Sequence, residues 1–185
     1  MAAIQKTNKL LLIALFGSIM FVTRVFVPPP IDKILIVVDA VLLSLAALFI
    51  KKAGATSVAT IGSILTGLWR PSFLPFSLIF TIIYGILVDF FFMSFRIEAN
   101  AEGVSQKKLI IAMACSTLSI ALLSYSVFSY SPGTFDNYLA AFPLAFIPRN
   151  EVLNMLVIFL GTASGAVAGY AASYLWNKYL KNISV

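Results

Sequence analysis

The sequence predicts an all-α integral membrane protein: a bundle of six transmembrane helices with both termini in the cytoplasm. Composition is the first reason, because 61% of the residues are hydrophobic and 11% are charged, against about 45–50% and about 25% in soluble domains. The second reason is a series of apolar segments, most of them near the roughly 20 residues that a helix needs to cross a bilayer. The third is the uneven placement of lysine and arginine. We therefore expect a multi-pass protein of the cell membrane, surrounded by membrane lipid.

The six apolar segments follow one another as a single domain, residues 1–185. The first segment ends at a run of three prolines, Pro28 to Pro30, and the second ends at Lys51 and Lys52. The third is short and rich in Gly, Ser and Thr, so we expect it to be surrounded by protein rather than by lipid. The other five meet the length requirement well. The predicted spans are residues 10–27, 34–50, 53–69, 75–95, 109–128 and 152–176.

The six predicted spans divide the lysine and arginine residues unevenly between the two sides of the membrane. With six spans, nine of the 13 basic residues lie on the side of both termini and four lie on the other side. The positive-inside rule then assigns both termini to the cytoplasm. The net charge of +6 is thereby explained as an orientation signal and a contact for anionic lipid, so we expect no nucleic-acid binding. The first segment is long and lacks an evident cleavage site, so we expect it to be retained rather than removed as a signal peptide.

The sequence lacks the residues of most catalytic and metal centres. It contains no histidine and one cysteine, Cys115, which excludes Ser-His-Asp and Cys-His sets, an intrachain disulfide, and the usual zinc or haem ligands. There is no phosphate-binding loop of the Gly-Lys-Ser/Thr type. We therefore expect a protein that is not an enzyme and that has no catalytic residues, no metal site and no cofactor.

A candidate ligand site lies at the outer ends of the spans, where aromatic and polar residues reach a similar depth. Such a mixture is typical of small-molecule sites, and it is also typical of an interfacial belt of Trp, Tyr and Arg. At the start of the last span, capping of the helix is the alternative explanation for an acidic residue. The candidate substrate-binding residues are Trp69, Arg70, Tyr125, Tyr130, Asn150, Glu151 and Asn154.

Ionisable residues inside the spans are costly and are therefore candidates for function. Arg24 lies in the last turn of the first span and Asp39 lies early in the second, so the two reach a similar depth and are expected to form an intramembrane ion pair. A purely structural pair is an equal alternative. Asp89 lies late in the fourth span, and the sequence leaves its role open between an inner lysine, a partner subunit and an interfacial cap.

Small residues recur every four positions on two spans. Gly161, Gly165 and Gly169 share one face of the sixth span, and Ala14 and Ser18 share one face of the first. Such strips let another helix backbone approach closely. They predict either packing inside the bundle or docking to another membrane subunit, and both alternatives stay open.

One part of the sequence resembles a known family of membrane proteins. The segments "KKAGATSVATIGSILTGLWRP" and "PFSLIFTIIYGILVDFFF" (51–71 and 75–92) combine a Gly-rich third helix, a Gly/Pro break and a fourth helix with the pattern Tyr84, Gly85, Leu87 and Asp89. Together with small residues four apart in the first helix, this resembles the S components of energy-coupling factor (ECF) vitamin importers, with Ser18 in place of one of the usual alanines.

The resemblance implies a substrate-capture subunit. It implies a small vitamin-like ligand bound at the outer end, and partners that comprise a transmembrane coupling subunit and two ATPases. The aromatic, Asn and Glu residues at that end would suit a flat heterocycle. The alternative is a non-catalytic accessory subunit of a larger membrane enzyme complex of the respiratory or oxygenase type, because small helical subunits of that kind also lack catalytic motifs and carry small-residue strips.

Overall fold

The computed structural model describes residues 2–26, 36–69, 76–100, 103–130 and 151–181. These residues form six α-helices, and no strand occurs among them. We number the helices α1 to α6 in chain order, and a single π-helical turn, Trp176–Leu180, continues the last of them. The helices are α1 Ala2–Val25, α2 Ile36–Ile50, α3 Gly54–Trp69, α4 Phe76–Ser94, α5 Gln106–Tyr130 and α6 Glu151–Leu175.

Each predicted span coincides with one helix, which confirms the all-helical fold. The boundaries differ most in α1, which begins eight residues earlier than the predicted span at residue 10 and ends two residues earlier, at Val25. The early start includes the polar residues before the apolar run, which are compatible with helix although they are not apolar. The short third segment is a complete helix, as predicted, and eight of its 16 residues are buried.

The central helix is α2. Ten of its 15 residues are buried, and it contacts α1, α3, α4 and α6. The remaining helices contact one another in the order α1, α3, α4, α5, α6 around it. Leu43 and Ala46 of α2 are fully buried, as are Val58 of α3 and Val88 of α4. A helix enclosed by its neighbours is apolar on all sides, which explains why α2 shows no polar face.

Among the residues that the structure describes, three helices are long and apolar enough to cross a membrane: Thr7–Val25, Gln106–Ser124 and Ile158–Leu180. The apolar helices Ile36–Ile50 and Leu78–Ser94 are shorter. The expectation that five segments meet the length requirement is therefore met by three. Helix α2, with 15 residues, is about 22 Å long at 1.5 Å per residue, which is less than the roughly 30 Å of a bilayer core.

The C-terminal end of α6 is fixed to the rest of the bundle by two side chains. Trp176 is 5% exposed, and its ring contacts that of Phe49 in α2 with centroids 4.8 Å apart. Asn177 binds the backbone of Val104 at two points, accepting from its N–H at 2.7 Å and donating to its carbonyl at 3.1 Å. These contacts bring the ends of α2 and α6 and the start of α5 together at one end of the bundle, which we call the inner end.

Candidate functional site

A partly buried ion pair joins the C-terminal end of α1 to the N-terminal end of α2. Arg24 Nε lies 2.8 Å from Asp39 Oδ2, and the side chains are 24% and 8% exposed respectively. The hydroxyl of Thr23 lies 3.1 Å from the other carboxylate oxygen and 2.9 Å from the carbonyl of Met20, so its single proton is shared between the two acceptors. The pairing expected from the similar depth of Arg24 and Asp39 is therefore present. A charge pair this buried needs several hydrogen bonds to offset the cost of leaving water, and both carboxylate oxygens receive one.

The same arginine extends the network to a third helix. Arg24 Nη1 donates to the hydroxyl of Thr81 in α4 at 2.6 Å, and Thr81 is 6% exposed. Three helices that are distant in sequence thus meet at one polar cluster, which we call the α1–α2–α4 cluster: Thr23, Arg24, Asp39, Thr81 and Tyr84.

Tyr84 is the member of this cluster whose polar atom is not used. Thr81 and Tyr84 are three residues apart and therefore share a face of α4. Tyr84 is 8% exposed, and within the described part of the chain its hydroxyl makes no hydrogen bond. An unsatisfied buried polar group costs about 1–3 kcal/mol, and groups of this kind are uncommon enough to need an explanation. The hydroxyl is thus free to bond a group that enters the cluster.

The cluster includes residues that sequence reasoning did not assign to a site. Thr23 and Thr81 carry no pattern of their own, and their role depends on which helices meet. In the sequence, Tyr84 stands out only as part of the pattern that carries the family resemblance. A usable signal was its spacing of three residues from Thr81, which places two polar side chains on one face of a mainly apolar helix.

Asp89 has a different role from the ion pair, and the structure identifies it. Its Oδ1 accepts from the N–H of Ala55 at 3.1 Å, and its Oδ2 accepts from the N–H and the hydroxyl of Thr56 at 2.8 and 2.6 Å. It therefore caps the N-terminus of α3 from another helix, where a negative charge is favourable. Gly85, one turn earlier, makes this approach possible, because a Cβ there would lie 2.9 Å from Ala55 O.

The predicted outer-end site is covered only in part by the described residues. Trp69 is 63% exposed, and its ring contacts those of Phe21 in α1 and of Phe26 directly after α1, at centroid distances of 6.4 and 6.3 Å. It thus belongs to an aromatic group at the ends of α1 and α3. Arg70 and Asn150 lie outside the described residues. The side chains of four further candidates on α5 and α6 also lie outside them: Tyr125, Tyr130, Glu151 and Asn154. Their convergence stays a prediction.

The glycine strip of the sixth span packs inside the bundle, which is one of the two alternatives that the sequence leaves open. A Cβ on Gly165 would lie 2.6 Å from Met113 O, one on Gly169 would lie 2.9 Å from Leu109 O, and one on Gly161 would meet Ala121 at 3.3 Å. The strip is therefore covered by α5 of the same chain. The backbones approach closely because the residues are small, so this face has no room for a second subunit.

The strip of small residues on the first span is exposed, whereas the glycine strip is covered. Ala14 and Ser18 are exposed, and the neighbouring Leu11 and Leu15 are 63% and 54% exposed. This face of α1 has no covering helix within the described part of the chain, so docking through Ala14 and Ser18 stays a prediction.

The described residues contain no group of three or more His, Cys, Asp or Glu side chains close enough to hold a metal ion. The α1–α2–α4 cluster offers one carboxylate, one guanidinium and three hydroxyls. Such a set can bind polar groups by hydrogen bonds and charge.

No protein-family model, curated protein or solved structure matches this chain. The family resemblance therefore depends on the sequence patterns alone.

Proposed function

We propose that the chain is the substrate-capture subunit of an ECF-type importer, binding a small vitamin-like molecule near the outer end of its bundle. The observation that supports this is the α1–α2–α4 cluster. It combines a partly buried ion pair with the buried hydroxyl of Tyr84, which makes no hydrogen bond to the described residues. It lies between three helices, near the end where the outer-site residues are predicted.

The proposal includes the membrane topology. All six helices cross the cell membrane, including the short α2 and α3, which are shielded from lipid by their neighbours. Both termini are cytoplasmic, because nine of 13 basic residues then lie inside. In this orientation the α1–α2–α4 cluster lies in the outer half of the bundle, and Asp89 lies in the inner half.

The chemistry of the cluster suits a polar group on a mainly apolar ligand. Asp39 and Thr81 occupy two donor atoms of Arg24, Nε and Nη1, which fixes the guanidinium in place. Its remaining N–H groups and the Tyr84 hydroxyl are donors for a carbonyl or carboxylate oxygen of the ligand. Preorganised donors of this kind give orientation and specificity in sites that are otherwise apolar.

The proposed partners follow from the lack of an energy source in the chain. It contains no phosphate-binding loop, so a coupling subunit and ATPases supply the driving force. The exposed face of α1 with Ala14 and Ser18 is the proposed docking surface for the coupling subunit. With the glycine strip of α6 covered by α5, α1 is the remaining candidate of the two strips.

The test is to purify the chain from its native membranes in mild detergent and identify what accompanies it. We expect a coupling subunit and two ATPase chains. Ala14→Leu with Ser18→Leu should remove these partners without reducing the yield of folded protein, and Cys115→Ala on the half-buried surface of α5 serves as the control. A stoichiometric redox or oxygenase complex without ATPases would show that the chain is an accessory subunit instead.

A further inference from the structure

An open cleft of about 900 Å³ lies at the inner end of the bundle, between the α2–α3 turn and the C-terminal end of α4. Three basic side chains line it: Lys51 and Lys52 from the turn, and Arg96 from the residues after α4. All three are exposed. The cleft is separate from the α1–α2–α4 cluster, which involves the opposite ends of these helices.

The three cations have no acidic partner in the described part of the chain. The ion pair between Arg24 and Asp39 is at the other end of the bundle, and no ion pair of Lys51, Lys52 or Arg96 occurs among the described residues. Two acidic residues, Asp89 and Glu98, also line the cleft. The two oxygens of Asp89 already accept three hydrogen bonds from α3, and Glu98 is exposed and forms no ion pair among the described residues. The cations are therefore available to an anion from outside the chain.

The lining of the cleft changes from apolar to cationic along α4. Ile86, Phe90 and Met93 are spaced as on one helix face, they line the cleft, and they are 50%, 51% and 73% exposed. Arg96 follows at the end of the helix. A membrane lipid has the same order, with apolar chains in the bilayer core and a charged headgroup at its edge. A free anion or a wholly acidic protein segment would not cover this apolar face of α4.

Two of these cations occupy backbone positions that favour glycine, as does the uncharged Ala53 with a φ of 53°. Lys51 and Arg96 adopt positive φ angles of 66° and 48°, in the region that favours glycine. Both follow a helix C-terminus, the position where glycine is most common. A cation is favourable there through the helix dipole, yet glycine would remove the strain.

From these observations we propose that the cleft binds one anionic phospholipid of the cytoplasmic leaflet. Lys51, Lys52 and Arg96 bind the headgroup phosphate, and the Ile86–Phe90–Met93 face of α4 contacts an acyl chain. Basic pockets between transmembrane helices on the cytoplasmic side bind anionic lipid headgroups in this manner. The proposal depends on the membrane setting and its orientation, and it is independent of whether the chain captures a vitamin.

The experiment titrates the purified, detergent-solubilised chain with phosphatidylglycerol, with phosphatidylcholine or with inorganic phosphate, and counts bound molecules by native mass spectrometry. We expect one phosphatidylglycerol per chain, bound at least about 10-fold more tightly than phosphatidylcholine, a difference of about 1.4 kcal/mol. Inorganic phosphate should not displace the bound phosphatidylglycerol. Lys51→Gly with Arg96→Gly should reduce phosphatidylglycerol binding to the level of phosphatidylcholine, while the unfolding temperature does not fall.

The matched control removes the same charge at the same end but outside the cleft, through Lys107→Gln with Lys108→Gln, and should keep the preference. If the glycine pair lowers the folded yield, Lys51→Gln with Arg96→Gln makes the same charge change. Equal binding of both lipids, or an equal loss in the control, would overturn the proposal, as would competition by inorganic phosphate. A photo-crosslinker at Met93 that captures a protein chain instead of lipid would also overturn it.

Discussion

Replacing Tyr84 with phenylalanine tests whether its hydroxyl binds a ligand or stabilises the fold. The side chain is 8% exposed and its hydroxyl makes no hydrogen bond to the described residues. Phenylalanine keeps the buried ring and removes only this group. Because an unsatisfied buried polar group costs about 1–3 kcal/mol, Tyr84→Phe should raise the unfolding free energy of the ligand-free protein by about 1 kcal/mol, the lower end of that range.

Ligand binding should change in the opposite direction. A lost hydrogen bond to the ligand is worth about 0.5–1.5 kcal/mol, so affinity for the small molecule that accompanies the wild-type protein should fall by up to about 10-fold. Unfolding is followed by reversible denaturation in detergent, and binding by calorimetry with the molecule recovered from wild-type protein. Tyr170→Phe, at a 52% exposed position on α6, is the control and should alter neither quantity. A ligand-free Tyr84→Phe protein that is less stable than wild type would refute the reasoning, because the hydroxyl would then have a structural partner.

Three further predictions concern the helix contacts. Asp39→Asn should lower the unfolding free energy by about 3 kcal/mol, the lower end of the range for buried pairs, because it leaves the partly buried Arg24 charge unpaired. Arg24→Met with Asp39→Leu should restore most of this stability, and equal losses in both variants would contradict this. Asp89→Ala should cost about 1.5–3 kcal/mol and speed amide hydrogen exchange at the start of α3, and unchanged exchange there would exclude the cap. Gly165→Ala should cost about 1–3 kcal/mol through overpacking against α5, while Gly161→Ala, with more room, should cost less; equal thermal stability would argue against this packing.

The helices could be predicted from the sequence because local residue types mark their ends. Apolar runs ended by Pro28 or by Lys51 and Lys52 define where a helix stops, and this holds regardless of what the helix later touches. The ion pair was accessible for a similar reason. Arg24 and Asp39 flank the same connection, so alternating spans bring them to one depth.

The contacts between helices that are distant in sequence could not be predicted in the same way. Asp89 binds a helix that begins more than thirty residues earlier, and nothing in the local sequence distinguishes a cap across helices from an ion pair with a lysine. The strip with Gly165 predicts a close helix approach but not the identity of the neighbour, which is α5 of the same chain. The place of Tyr84 in a polar cluster becomes visible only once α1, α2 and α4 are packed together.

The most direct test of ligand capture is the molar ratio of small molecule to chain in protein purified from native membranes. The protein is denatured, and the released molecule is identified and quantified by mass spectrometry. We predict one molecule per chain for wild-type protein and a lower ratio for Tyr84→Phe, with no change for Tyr170→Phe. A wild-type protein that is folded and accompanied by its partners, yet releases no small molecule, would contradict the assignment as a substrate-capture subunit.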